Sequence, residues 1–95
     1  MSKEMFVDPV LLSSVRLSIM AWLKKNKTAP FTQLQSELKI APGNLSIQVR
    51  KLKEAGFLEV TKSFKENYPF TSCSISEKGI QALHEFQSTI NDLLA

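Results

Sequence analysis

A chain of 95 residues, 43% hydrophobic and 22% charged, has room for one compact domain and falls outside the disordered and fibrous classes; a domain this short buries a modest share of its surface, so association with a second copy is expected. The formal net charge of +3 and a pI near 9.2 are mild, and neither alone points to an anionic partner. The single cysteine, Cys73, excludes an intramolecular disulfide, Met1 to Pro9 lacks a signal-type apolar stretch and Arg16 interrupts the one apolar run, so a soluble, cytoplasmic (nucleoid-associated) protein without membrane contact is expected.

From Asp8 to about Lys25, apolar residues recur at Leu11, Leu12, Val15, Ile19, Trp22 and Leu23, the three-and-four spacing of an amphipathic helix. Asp8 before Pro9 suits its start, because an acidic cap accepts from free amides and a first-turn proline loses no hydrogen bond. Residues 26–31 form a connector. Thr32-Gln-Leu-Gln35 has the form of a capping box, predicting a short second helix to about Lys39 with Leu34 and Leu38 inward. Ile40-Ala-Pro-Gly-Asn44 reads as a turn, with Pro42 opening a third helix to about Ala55 and Gly56 as its left-handed stop. On that helix Leu45, Val49 and Leu52 share one face, while Gly43, Ile47, Arg50 and Glu54 lie on the opposite one.

Phe57 to Phe64 alternates, with Leu58, Val60 and Phe64 on one side and Glu59, Thr61 and Ser63 on the other, which predicts a strand. Lys65 to Pro69 is the turn, and Phe70 to Ile75 pairs back as a hairpin. Ser76 is a good cap for a last helix with Glu77 in its first turn. There Leu83, Phe86, Ile90 and Leu93 repeat in steps of three, four and three, a coiled-coil seam that needs a partner. The whole chain, 1–95, is read as one mainly α domain with a small β-hairpin, ordered helix, helix, helix, strand, strand, helix, residues 76–94 forming a dimerisation helix.

Two helices joined by a tight turn and followed by a hairpin form a helix-turn-helix with a wing. A major groove about 12 Å wide admits one helix, and a hairpin beside it reaches phosphates or the minor groove. Arg50, Lys51, Lys53, Lys62 and Lys65 fall close together, whereas Glu77, Glu85 and Asp92 lie near the C-terminus, so one part of the molecule should be positive.

Three segments carry a family resemblance: Asp8 to Leu17, Gly43-Asn-Leu-Ser46 through Arg50 to Phe57, and Ser76-Glu-Lys-Gly79. Over nearly its whole length the chain resembles the small single-domain winged-helix regulators related to MarR and ArsR proteins. The resemblance implies that helix three is the recognition helix, that Thr61 to Thr71 surround the wing, and that the last helix dimerises. The chain departs from the pattern at the wing tip, where arginine or lysine is common in such proteins and Glu66-Asn67-Tyr68-Pro69-Phe70 stands here. Lys62 and Lys65 are expected at the base of the wing.

The expected function is sequence-specific binding of double-stranded DNA by a homodimeric transcriptional regulator. Arg50 suits a bidentate contact to guanine or a phosphate clamp. Gly43, Asn44, Ser46 and Ile47 occupy the part of helix three that enters the groove, the amide and hydroxyl for hydrogen bonds and Ile47 for a thymine methyl. Gln48, on the flank of the apolar stripe, joins the set as a half-buried residue, and Lys51, Lys62 and Lys65 suit phosphates. The alternative is a winged-helix adaptor that binds proteins without DNA, with Ile47, Tyr68 and Phe70 marking the docking surface.

His84 has no further ligands at metal spacing, and Cys73, with no adjacent lysine or arginine, reads as a buried strand residue rather than an oxidant sensor. Without a glycine-rich phosphate loop, a ligand cluster or a nucleophile with a base, no enzyme and no cofactor is predicted. No residue set specifies an effector.

Overall fold

The computed structural model describes residues 7–95. Asp8 accepts from the Val10 amide at 3.0 Å and Pro9 stands at the first position, as expected of a helix start. The turn they begin is a 3₁₀ turn that ends at Leu11, because Leu12 leaves the helical region at φ −86°, ψ 51°. The helix proper, α1 (Ser14–Asn26), starts afresh on Ser13, whose hydroxyl accepts from the Arg16 amide at 3.2 Å. One expected helix is therefore a cap, a break and a second cap, which swings Leu11 into the core while Leu12 remains exposed.

The expected connector contains a strand, β1 (Thr28–Pro30), and α2 (Phe31–Leu38) follows it directly. The capping box at Thr32 does not form: Pro30 is the cap, no side chain caps the helix, and Thr32 lies within it. β1 commits the backbone up to Pro30 to the sheet, and a residue before or at a proline already holds extended geometry, so the helix starts earlier than the box implies. α3 (Pro42–Glu54) begins with proline in the first turn and stops at Gly56, which takes φ 83°.

The chain then forms β2 (Leu58–Lys65) and β3 (Tyr68–Ile75), joined by Glu66 and Asn67 at φ 52° and 68°. Two successive positive φ values make a two-residue hairpin turn that matches strand twist, shorter than the five-residue turn expected. The sheet is three-stranded in the order β1-β3-β2, and antiparallel pairing runs from Leu58↔Ile75 to Lys65↔Tyr68. β1 reaches only as far as Ser72. Beyond it β3 has a free edge among the described residues, where Pro69 costs no ladder bond. The order is thus helix, strand, helix, helix, strand, strand, helix; the added strand covers Cys73 from the other side, with Ala29↔Cys73 as the central pair.

α4 (Glu77–Leu94) is capped by Ser76 as expected: its hydroxyl accepts from the Gly79 amide at 2.9 Å and donates to the Gly56 carbonyl at 2.6 Å. One hydroxyl therefore joins the end of α3 to the start of α4. The core unites Ile19, Met20 and Leu23 of α1 with Leu34, Leu45, Leu52 and Cys73, all at most 1% exposed. Among the described residues no helix is long and apolar enough to cross a membrane.

α4 lies so close to the segment after α3 that a Cβ on Gly79 would collide with the Phe57 carbonyl oxygen and touch Ile75. Gly79→Ala should lower stability by ~1–3 kcal/mol through this overpacking. The check is urea unfolding, in which the midpoint falls with the slope unchanged.

Candidate nucleic-acid interface

α3 buries Leu45, Val49 and Leu52, so at 3.6 residues per turn its opposite face must meet solvent. Gly43, Asn44, Ser46, Ile47, Arg50 and Lys51 are all exposed, Ile47 at 44%. The helix therefore presents a continuous outer strip, as its spacing predicts.

The two flanks of that strip differ. On one, Ser46, Arg50 and Lys53 of α3 and Phe31 of α2 face Val60, Lys62 and Thr71 of the hairpin across a groove of ≈ 450 Å³. Three cations converge there from two elements. Lys53 is not among the expected contact residues; its signal was membership of the basic run, but only the hairpin beside it makes its flank part of a site. On the other flank Lys51 lies with Arg16, Glu54, Pro9 and Val10. Arg50 and Lys51, adjacent in sequence, thus serve opposite sides of the helix.

Gln48 is half-buried, as expected, and its amide is engaged at both ends. Arg16 of α1 donates from Nη1 to Gln48 Oε1 at 2.7 Å, and Gln48 Nε2 donates to Asn44 Oδ1 at 3.0 Å. Arg16 Nε donates in turn to the Val10 carbonyl at 2.6 Å. In the sequence Arg16 was legible only as a charge within an apolar run. Its partner lies 32 residues away, so no local pattern could reveal it.

Of the two wing lysines, Lys62 pairs with Thr71 midway along the hairpin, whereas Lys65 pairs with Tyr68 beside the turn. Lys65 is therefore at the tip and not at the base, because the two-residue turn lets both strands run further than expected. Its ammonium sits 5.4 Å from the Phe70 ring centroid, a cation–π contact. Phe64 shares the face of Leu58 and Val60, yet it is 77% exposed, since β2 continues past the core beneath it. Tyr68 is 74% exposed.

The stripe expected on α4 is divided. Leu83 belongs to the chain's own core and forms the floor of an apolar groove of ≈ 310 Å³, which half-buried Phe86 and Ile90 line together with Leu17 and Ala21 of α1. Leu93 is 50% exposed and Leu94 81%. His84 is exposed, and among the described residues no group of His, Cys, Asp or Glu could hold a metal ion. Cys73 is buried in β3, and loss of solvation pushes its thiol above the usual range.

Residues 15–94 match the family model described as a winged helix DNA-binding domain. An uncharacterized protein of Methanocaldococcus jannaschii is 34% identical over 74 residues, covering 78% of this chain and 80% of that one. Among solved structures, a transcriptional regulator homologue from Pyrococcus horikoshii superposes with a TM-score of 0.86 at 31% identity, covering 92% of this chain and 86% of that one. A mutant MarR from E. coli complexed with operator DNA gives 0.73 at 11% identity, covering 86% of this chain and 58% of that one. The transcriptional regulator BldR from Sulfolobus solfataricus gives 0.72 at 20%, covering 87% and 58%. At these lower identities the likeness is one of fold.

A thiol both covered and held protonated is a poor nucleophile. Cys73 in the folded protein should resist a disulfide reagent at pH 8 and react fully in denaturing urea. The check is the absorbance released by the reagent under the two conditions.

Proposed function

The chain belongs to the winged helix DNA-binding domain family and is a small winged-helix regulator of MarR-like fold, and from that premise we propose that it binds double-stranded DNA sequence-specifically as a homodimer. The observation that carries this reading is the meeting of the free face of α3 with the cationic groove in which Arg50, Lys53 and Lys62 converge. A helix of this width fits a major groove, and the hairpin alongside reaches the phosphates that border it.

Within this reading Arg50 is the candidate for a bidentate contact, since its planar fork matches guanine or a phosphate. Asn44, Ser46 and Ile47 approach base edges, and Gly43 lets the backbone come near, with nothing within 4 Å of where its Cβ would be. Lys51 serves one bordering strand, and Lys53 and Lys62 the other, while Lys65 carries a positive charge to the wing tip. Gln48 acts from behind Asn44. Homodimerisation is supported by the apolar groove between α1 and α4 together with exposed Leu93 and Leu94, a surface costly to leave in water. A twofold dimer presents two recognition helices to half-sites about one helical turn apart, hence a palindromic operator.

The adaptor reading draws on the exposed Phe64 and Tyr68. Against it, Phe70 lies half-buried near Lys65 rather than free for docking.

Affinity for a cognate and a scrambled duplex across a salt series separates these readings. DNA binding gives a steep fall in affinity with salt, because phosphate contacts release counterions; no binding at low salt favours the adaptor. Arg50→Ala should cost ~1–3 kcal/mol on the cognate duplex and relax preference at one base pair per half-site. Lys62→Ala should weaken both duplexes alike and make the salt slope shallower by about one unit for each phosphate it no longer neutralises. For the dimer, Ile90→Asp puts an unpaired charge into the apolar groove, and sedimentation should then find monomers where the wild type sediments as a dimer at micromolar concentration.

A further inference from the structure

Among the side chains that can contact a base edge, an amide has a donor end and an acceptor end of nearly the same size, so which end faces outward decides which base is read. Asn44 is such a residue, exposed in the first turn of α3. Its orientation is governed from a distance. Arg16 is donor-only: a guanidinium carries five N–H groups and no acceptor. Its Nη1 lies 2.7 Å from Gln48, so Gln48 has to offer its carbonyl oxygen. That leaves the Gln48 amide nitrogen on the side of Asn44, 3.0 Å from Oδ1, so Asn44 in turn has to offer its carbonyl inward. The Asn44 amide nitrogen is the end that remains.

The first member of this chain is itself fixed. Arg16 Nε is held by the Val10 carbonyl at 2.6 Å, Val10 is held through its amide by Asp8 at 3.0 Å, and the Arg16 amide is bonded to Ser13. Short bonds from a charged donor are the stronger kind. The break between the 3₁₀ turn and α1 brings the Val10 carbonyl within reach of Arg16, which gives that irregular segment a task.

Resting on the reading of α3 as the recognition helix, we propose that Arg16 is a positioning residue which, through Gln48, turns the Asn44 amide nitrogen toward DNA and so selects an acceptor-bearing base edge. Guanine, with O6 and N7, and thymine, with O4, present only acceptors as hydrogen-bonding groups in the major groove, whereas cytosine N4 is a donor and adenine sets its N6 donor beside the N7 acceptor. Arg16 does this without touching a base. Adenine, which an unconstrained asparagine pairs with through both its ends, is disfavoured because one of those ends is already engaged by Gln48.

The test exchanges the polarity of the middle member. Gln48→Glu keeps the shape but supplies acceptors only, so the carboxylate accepts from Arg16 and from the Asn44 amide, and the Asn44 carbonyl faces outward. The probes are a random duplex library, for selection of bound sequences, and then duplex pairs differing at one base pair per half-site. Wild type should favour guanine or thymine at that position by about fivefold or more over cytosine, and Gln48→Glu should move the preference to cytosine or adenine. The added negative charge weakens binding to every duplex, but it cancels in the ratio within a pair. Arg16→Lys, still donor-only, should retain the wild-type preference, whereas Arg16→Met and Gln48→Met should flatten it. Circular dichroism establishes that each variant is folded, and the Arg16 variants carry the test should Gln48→Glu fail to fold. If wild type, Arg16→Met and Gln48→Met bind duplex DNA with the same preference at every position, the relay is wrong while the DNA-binding reading stands. If the folded wild type binds no duplex at low salt, that reading fails and the relay with it.

Discussion

Burial of the Leu45, Val49 and Leu52 stripe of α3 is the contact on which the other features rest. A helix can hide only one stripe, and hiding this one against α1 and the sheet determines which residues remain outside. The remaining elements keep the helix in that rotation. Pro42 opens it, Gly56 turns the chain out of it, and Ser76 binds the Gly56 carbonyl while capping α4. Rotation of α3 by one residue would turn Arg50 inward and Leu52 outward, the second alone costing ~1.5–3 kcal/mol and the first the desolvation of an unpaired charge.

From that rotation the electrostatics follow. Arg50 and Lys53 are turned to the side where the hairpin carries Lys62, and Lys51 to the side where α1 carries Arg16. With a net charge of only +3, five cations, Arg16, Arg50, Lys51, Lys53 and Lys62, are thereby set along one helix and its borders. Local concentration, more than the total, is what an anionic polymer meets within a Debye length of about 8–10 Å.

The 3₁₀ turn, the break at Leu12 and the restart at Ser13 look like an imperfect helix from the standpoint of propensity. They deliver Leu11 to the core and the Val10 carbonyl to Arg16. The wing illustrates the same economy: two residues at positive φ make its turn, so the strands carry Lys65 out to the tip and lift Phe64 and Tyr68 clear of the core. The α4 stripe is shared as well, Leu83 serving the chain's own core while Leu93 and Leu94 face solvent.

Spacing alone determined α3 and its outer face, because the 3.6-residue period is a property of the helix and needs no neighbour to be read. Local chemistry determined Pro42 as a start, Gly56 as a stop and Ser76 as a cap, since each partner lies within a few residues. Tertiary structure decided the rest. β1 is three residues long, too short to show a period, and exists only because β3 supplies its hydrogen bonds. The capping box at Thr32 was a sound local signal that lost to the strand before it. Whether Phe64 and Leu83 are core or surface depended on where the neighbouring elements end, which alternation and heptad spacing do not encode. The Arg16, Gln48 and Asn44 chain joins α1 to α3, and its first link spans 32 positions; contacts between side chains so far apart in sequence arise only when the core has brought their helices together.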